Sequence, residues 1–581
     1  MTYSLNNKDY NGNLSPGQTL TLDFIATYSG NQDNEPLWDP QLSGQPICGT
    51  GQSGQTNQPA ATTTRPPATT TLPATTTRSP ATTAKPATTT RPATTTRPAA
   101  TTAKPATTTR PATTIPPATN AQGTATQTPA TVPGMPYPYY EVLEKSILFY
   151  EAQRSGTLLS NQRVTWRHDS FEDDGSDNNV DLNGGWFDAG DHVKFGLPMA
   201  QSATVLAWGA IEFKDAYIAA QQWDWMLDCL KWATNYFLKC HTGPNEFYGQ
   251  VGDGGADHAF WGRPEDYTGY RPSFKLDTNN PGSDVAGETA AALAASSIVF
   301  RDSDETYADA LLDSAAELYA FAHNYRGVST DAGGYYSSSG YGDELAWAAA
   351  WIYKANAAKG VATNHLIEAK NHYQTFNLQT EPWAFSWDDK KAGVQLLLYM
   401  LTGESQYQTD VENAIQIWLP GGSIPYTPLG LAYRSQWGAN RYSANMAFLS
   451  LVAAEYIPAK TIVYQNFAES QINYMLGDRG PNNPPGRSYV VGFGNNPPTE
   501  PHHRSSSCPA ESNTCYKDAD GPNPQILYGA LVGGPNNNDG FTDNRNDYIY
   551  NEVATDYNAG FQSAVAGIYG RYIAGDLQNQ S

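Results

Sequence analysis

The chain is 581 residues long, more than one ordinary domain, and has a net charge of −22 and a pI near 4.7. Seven basic and no acidic residues fall between positions 49 and 138, so the rest of the chain carries −29. Such a body repels nucleic acid and anionic lipid, and no run of about 20 apolar residues is present to span a bilayer; a neutral substrate is expected, with neither nucleic acid nor membrane as partner.

Residues 1–48 read as short strands. Thr19 to Tyr28 alternates apolar and polar side chains after the turn Ser15-Pro16-Gly17, a β segment too short to bury a core alone. Residues 49–138 are a Thr/Pro/Ala tract with a basic residue every six or seven positions from Arg78 to Arg110. Such a composition cannot pack and favours extended polyproline II, as in a disordered, O-glycosylated spacer between modules. Residues 139–576 form one large domain in which helical periodicity dominates. Helices are expected from Tyr140 to Arg154, Ala200 to Phe213, Trp223 to Cys240, Glu288 to Val299, Thr306 to His323, Glu344 to Ala357, Ala392 to Leu401, Ser443 to Glu455 and Ile462 to Leu476. No βαβ alternation is visible. Long Gly/Asn/Asp/Pro loops rich in Trp and Tyr lie between the helices, which fits an all-α toroid of paired helices whose loops form the active face.

There are five cysteines. Cys508 and Cys515 close a short Pro/Ser/Asn-rich loop, where a disulfide is sensible in an oxidising compartment. Cys229 and Cys240 stand eleven apart in one helical pattern, too far to bridge, and read as buried thiols. Cys48 has no partner. The start, Met1 to Asn7, is polar and lacks the apolar core of a signal peptide.

Three segments carry chemistry. In Asn183-Gly-Gly-Trp-Phe-Asp188-Ala-Gly-Asp191-His192, two aspartates three apart sit on a permissive turn flanked by aromatic rings. Alone, this pattern fits a base that activates water, a calcium loop or a helix cap. Near the C-terminus, Phe541-Thr-Asp543 runs to Tyr550-Asn-Glu552-Val-Ala-Thr-Asp556-Tyr557 and leads into an apolar helix. An aromatic, partly dry setting there would raise the Glu552 pKa and keep it protonated as an acid. Between them, Ser488 to Asn496 continues to Pro501-His502-His503-Arg504, whose His and Arg can bind sugar hydroxyls. Adjacent histidines such as these rarely point at one metal ion.

These three segments, in this order, resemble the signatures of glycoside hydrolase family 9, the cellulases with an (α/α)6 barrel. The resemblance covers essentially all of 139–576 and implies an endo-β-1,4-glucanase that hydrolyses cellulose with inversion. It implies Asp191 as general base, Asp188 as the residue positioning the water and Glu552 as general acid. His502, Arg504 and Tyr557 would bind sugar near the cleavage point, and Asp543 belongs to the same signature. Inversion requires the two carboxyl groups to stand roughly 6.5–9.5 Å apart. The run Gly252 to Trp261 resembles the segment whose His and Trp touch the glucan, implying His258 and Trp261; Tyr335, Trp383 and Trp437 sit in similarly matching loops. One departure is Ser338, which stands where several relatives carry a stacking Trp.

The resemblance further implies a structural calcium at Ser339, Gly342 (by its carbonyl), Asp343, Glu344 and Asp388, an oxygen-only set suited to that ion; no cofactor is implied for the chemistry. Residues 1–48 resemble the C-terminal half of a family 2 carbohydrate-binding module, through Tyr10-Asn-Gly-Asn-Leu-Ser-Pro-Gly17 and the ending Leu42 to Cys48. Such a remnant of a β-sandwich would explain the orphan Cys48, and the protein is expected to be secreted and monomeric, with its module start and signal peptide missing from this sequence. Alternatives are an exo-acting or mixed-linkage glucanase, a non-catalytic glucan-binding protein, and a metal-dependent hydrolase using Asp188, Asp191, His192 and His502.

Overall fold

The computed structural model describes residues 41–42, 45–46, 129, 132–479, 486–511 and 515–575. The chain divides into two units, Pro36–Gln127 and the remainder. In the smaller unit the described residues form one antiparallel pair, β1 (Gln41–Leu42) with β2 (Gln45–Pro46). The expected strand at 19–28, Cys48 and nearly all of the 49–138 tract lie outside the described residues.

The larger unit is built from helices in two concentric layers. Six of them, α2 (Gly196–Glu212), α6 (Ser283–Phe300), α8 (Gly342–Ala358), α10 (Lys391–Thr402), α12 (Ala439–Tyr456) and α14 (Thr555–Ala574), pack each on the next, and α14 packs back on α2 to close a ring. Six others alternate with them in the chain and lie outside: α1 (Tyr139–Ala152), α4 (Trp223–Cys240), α7 (Glu305–Asn324), α9 (His365–Thr375), α11 (Ser405–Gln416) and α13 (Thr461–Leu476). Two short helices, α3 (Lys214–Ala219) and α5 (Gly254–His258), complete the set among the described residues.

The two layers differ as their sequences require. In α6, Ser-Asp-Val-Ala-Gly-Glu-Thr-Ala-Ala-Ala-Leu, 17 of 18 residues are buried, and in α14 17 of 20 are. Small residues let these helices approach on every side: a Cβ on Gly209 of α2 would meet Ser563 Oγ of α14 at 2.4 Å. Outer helices bury one stripe, 9 of 20 residues in α7 and 3 of 11 in α9. Inside the ring, Trp208 of α2 stands 5.5 Å from both Trp347 and Trp351 of α8 and 5.4 Å from Phe448 of α12. Such edge-to-face aromatic pairs stabilise by about 0.5–1.5 kcal/mol each beyond area burial.

Nine helices stand where periodicity placed them, with ends displaced by a few residues. Four were not expected: the short α3 and α5, and α9 and α11, whose composition is polar overall. A small antiparallel sheet was not expected either. Its central strand β5 (Glu246–Val251) pairs with β3 (Lys194–Phe195), β4 (His241–Gly243) and β6 (Ser273–Leu276). The register Lys194↔Val251 has a functional consequence. It sets the segment just after Asp191 beside the segment that runs into α5 and His258.

Candidate active site

Backbone hydrogen bonds stitch the three motif segments together. Arg504 N–H donates to Gly190 O at 3.0 Å, His502 N–H to Asn551 O at 2.8 Å, and Thr555 N–H to Asp188 O at 2.8 Å. The 501–504 segment thus lies between the Asp-Ala-Gly-Asp turn and Glu552, with His502 bridging Glu552 in parallel. Gly190 permits this approach: a Cβ there would meet the His502 carbonyl oxygen at 2.1 Å.

The two aspartates are buried and treated oppositely. Asp191 accepts from Ala189 N–H at 3.2 Å and from His258 Nε2 at 3.2 Å. Burial pushes its carboxyl up, but His258 and Arg504 outweigh that and hold it below its ordinary range. Asp188 accepts from the Tyr336 hydroxyl at 2.5 Å, and its other oxygen, Oδ1, is buried without a protein partner. Burial and the neighbouring Asp191 charge raise Asp188 well above its ordinary value. Asp257 accepts from His192 N–H at 3.2 Å and lies 3.6 Å from Arg504 Nη1; burial and Asp191 push it up to about 6.

Glu552 faces an aromatic wall. It accepts from Trp437 Nε1 at 2.6 Å and from the Tyr557 hydroxyl at 2.9 Å. Burial outweighs both donors and pushes its pKa up to about 7. Tyr548 packs on Trp437 at 5.5 Å. His502 donates from Nδ1 to Arg545 O at 2.5 Å, which fixes its tautomer and leaves Nε2 as acceptor; burial lowers its pKa to about 4, so the ring is neutral.

The other expected residues fall in two groups. Trp261 packs edge-on against His502 at 5.2 Å, lies under Arg504 at 5.4 Å and donates to Ser507 Oγ at 3.0 Å. Tyr335, 38% exposed, lies 4.7 Å from the His258 ring. Together with Arg504, Trp437 and Tyr557 these residues converge on the carboxyl groups. Trp383 instead meets Tyr442 at 4.8 Å with the Arg434 guanidinium over its face at 4.6 Å. Asp543 accepts from Thr499 N–H at 2.7 Å and Glu500 N–H at 3.1 Å, so it secures the segment leading to His502. The sequence reading missed Tyr336 and Asp257, although each adjoins a residue it singled out.

Of the alternative metal set, His192 is held among Phe171, Phe187 and Phe260, with Nε2 3.4 Å from Ser505 Oγ, apart from His502. His503 lies against Gln153 Oε1 at 2.8 Å, also facing away. Around the expected calcium set, Asp388 Oδ1 accepts from Ser339 N–H at 2.6 Å and Asp343 from Lys390 N–H at 2.7 Å. Asp388 Oδ2 and Glu344 Oε2 are buried without partners. Ser338 turns its hydroxyl to the Gly340 carbonyl. Cys508 and Cys515 form a disulfide, and Cys229 and Cys240 are buried free thiols.

Comparison with known proteins agrees with this geometry. The model of glycosyl hydrolase family 9 matches residues 139–565. Endoglucanase 4 of Bacillus sp. is 49% identical over 74% of this chain and 69% of its own length. The structure of an endoglucanase from the termite Nasutitermes takasagoensis superposes with a TM-score of 0.71 and 52% identity, over 75% of this chain and 99% of that one. Endoglucanase CelQ from Clostridium thermocellum, complexed with cellotetraose, superposes with a TM-score of 0.68 and 41% identity, over 75% of this chain and 71% of that one. With family signatures in order on a closed ring of six helix pairs, the chain belongs to glycosyl hydrolase family 9.

Proposed function

We propose that this chain is an endo-β-1,4-glucanase that hydrolyses cellulose with inversion, Asp191 acting as general base and Glu552 as general acid. The observation that carries the reading is the opposed surroundings of two buried carboxyl groups in one site, Asp191 among the Ala189 N–H and His258 and Glu552 against Trp437 and Tyr557. Asp191 is held in its charged form, while burial pushes Glu552 up to about 7. Asp191 takes a proton from water as the water oxygen attacks the anomeric carbon. Glu552 gives its proton to the departing glycosidic oxygen, and the C–O bond breaks on the face opposite attack. Asp188, fixed by Tyr336, turns its unpartnered Oδ1 to the same water. After turnover Asp191 is protonated and Glu552 ionised; exchange with solvent restores both.

His502, Arg504 and Tyr557 bind the sugars at the cleavage point, and His258, Trp261, Tyr335, Trp383 and Trp437 line the glucan path. The chemistry uses only side chains and water. The two orphaned carboxylate oxygens of Asp388 and Glu344, close to Asp343, suit a hard cation. Ser339, Gly342, Asp343, Glu344 and Asp388 would hold calcium there, cross-linking two loops without entering the reaction. In the wider chain, the resemblance of 1–48 supports a carbohydrate-binding segment there, and the Thr/Pro/Ala composition of 49–138 supports a linker ahead of a catalytic domain at 139–576 in a secreted, monomeric protein.

The test is hydrolysis of carboxymethylcellulose by Asp191→Ala and Glu552→Gln. Each is expected to lose at least about 10²–10⁴ in rate with the circular dichroism spectrum unchanged. Near-normal activity in either sinks the assignment.

A further inference from the structure

Three of the nine histidines, His323, His365 and His372, gather around Tyr319 between the outer helices α7 and α9. None belongs to the site described above. His323 Nδ1 and His372 Nε2 stand 3.2 Å apart. The Tyr319 hydroxyl lies 3.3 Å from the first and 3.2 Å from the second. The three atoms form a nearly equilateral triangle.

At 3.2–3.3 Å the three contacts lie at the long end of hydrogen-bond lengths. The triangle is also the right size for a metal. Ligands about 2.0–2.1 Å from a tetrahedral ion stand about 3.3–3.4 Å from one another. The helical spacing supports it as well. Tyr319 and His323 are four apart on α7; His365, Glu368 and His372 fall at i, i+3 and i+7 on α9, one face of that helix. Glu368 lies beside the Tyr319 hydroxyl, and its charge acts on all three histidines. His365 packs its ring on Tyr319 at 5.5 Å and keeps a buried Nδ1 without a partner.

We propose that His323 Nδ1, His372 Nε2 and Tyr319 Oη form one face of a binding site for an imidazole-preferring divalent ion such as Zn²⁺ or Cu²⁺, cross-linking α7 to α9. On binding, the ion takes one lone pair from each imidazole. The Tyr319 phenol, which burial and Glu368 keep protonated, stays neutral and turns an oxygen lone pair to the ion as the third ligand; water fills the remaining position. His323 is partly exposed and gives the ion a way in, whereas Tyr319 and His372 are 4% exposed.

The test is calorimetric titration of the chelator-stripped full chain with Zn²⁺. One equivalent is expected to bind, and His323→Gln and His372→Gln are each expected to weaken it by more than the about 10–100-fold that outer-shell partners are worth. Asp191→Asn serves as control, because Asp191, Asp257 and His258 bring their ligand atoms within 4.8 Å of one another. It should leave Zn²⁺ binding unchanged. Independently of variants, Cu²⁺ bound to the wild-type chain should show superhyperfine coupling to two imidazole nitrogens. Absence of binding, full affinity in both histidine variants, loss of the ion in Asp191→Asn, or a Cu²⁺ spectrum without coupled nitrogen each overturns the proposal.

Discussion

The two poles of the active site use the same functional group in opposite surroundings. At one pole, Asp191 is ringed by donors and positive charge from His258, Arg504 and the Ala189 N–H. At the other, Glu552 has two aromatic donors, Trp437 and Tyr557, and no cation strong enough to offset its burial. Burial is the largest influence at both. In the roles proposed above, what separates the base from the acid is the number and charge of neighbours that survive desolvation. A pH–rate profile should therefore have one limb below the ordinary carboxylate range, from Asp191, and one near 7, from Glu552.

The comparison breaks most severely if the poles are pushed apart. Gly190→Ala would place a Cβ 2.1 Å from the His502 carbonyl oxygen. The 501–504 segment must shift, carrying His502 away from the aspartates. A stability loss of about 1–3 kcal/mol is expected from overpacking, read as a fall in the denaturation midpoint, and kcat/KM should drop about 10²-fold from misplacement. Full activity would show that the segment's position does not matter.

Next in size is His258→Ala. Asp191 loses both a hydrogen bond and a charge that lower its pKa, leaving burial less opposed. The acidic limb should move to higher pH, with kcat/KM at neutral pH about tenfold lower. An unmoved acidic limb would separate His258 from the base. Trp437→Phe is the mildest change. It removes a donor that stabilises ionised Glu552, so that pKa should rise beyond about 7 and the alkaline limb should follow it upward. A downward move would mean that the limb belongs to another group.

Much of this was legible in the chain because the relevant signals are local. Trp223 to Cys240 has a full amphipathic period and folds as α4 over those residues. Asp188, Asp191 and Glu552 sit in short, distinctive runs, and the aromatic residues around Glu552 foretold its raised pKa. The misses have physical causes. Helix α2 begins at Gly196 and holds Pro198, which reads as a breaker but is harmless in a first turn, where the missing N–H has no helical partner. The polar helices α9 and α11 pack on α8 and α10, and their low overall hydrophobicity hid them in the sequence. Strand β5, Glu-Phe-Tyr-Gly-Gln-Val, is legible only through its partners. Tyr336 and Asp257 act through residues far away in sequence, Asp188 and Arg504, which a linear pattern does not reveal.

The division of labour between the poles is tested most directly with a substrate that needs no acid. A dinitrophenyl cellobioside has a leaving group stable without protonation, so Glu552→Gln should hydrolyse it within about tenfold of the wild-type rate while losing about 10²–10⁴ on cello-oligosaccharides. Asp191→Ala should be defective on both. If both variants lose both substrates equally, or if Asp191→Ala is the one rescued, the assignment of acid and base is contradicted.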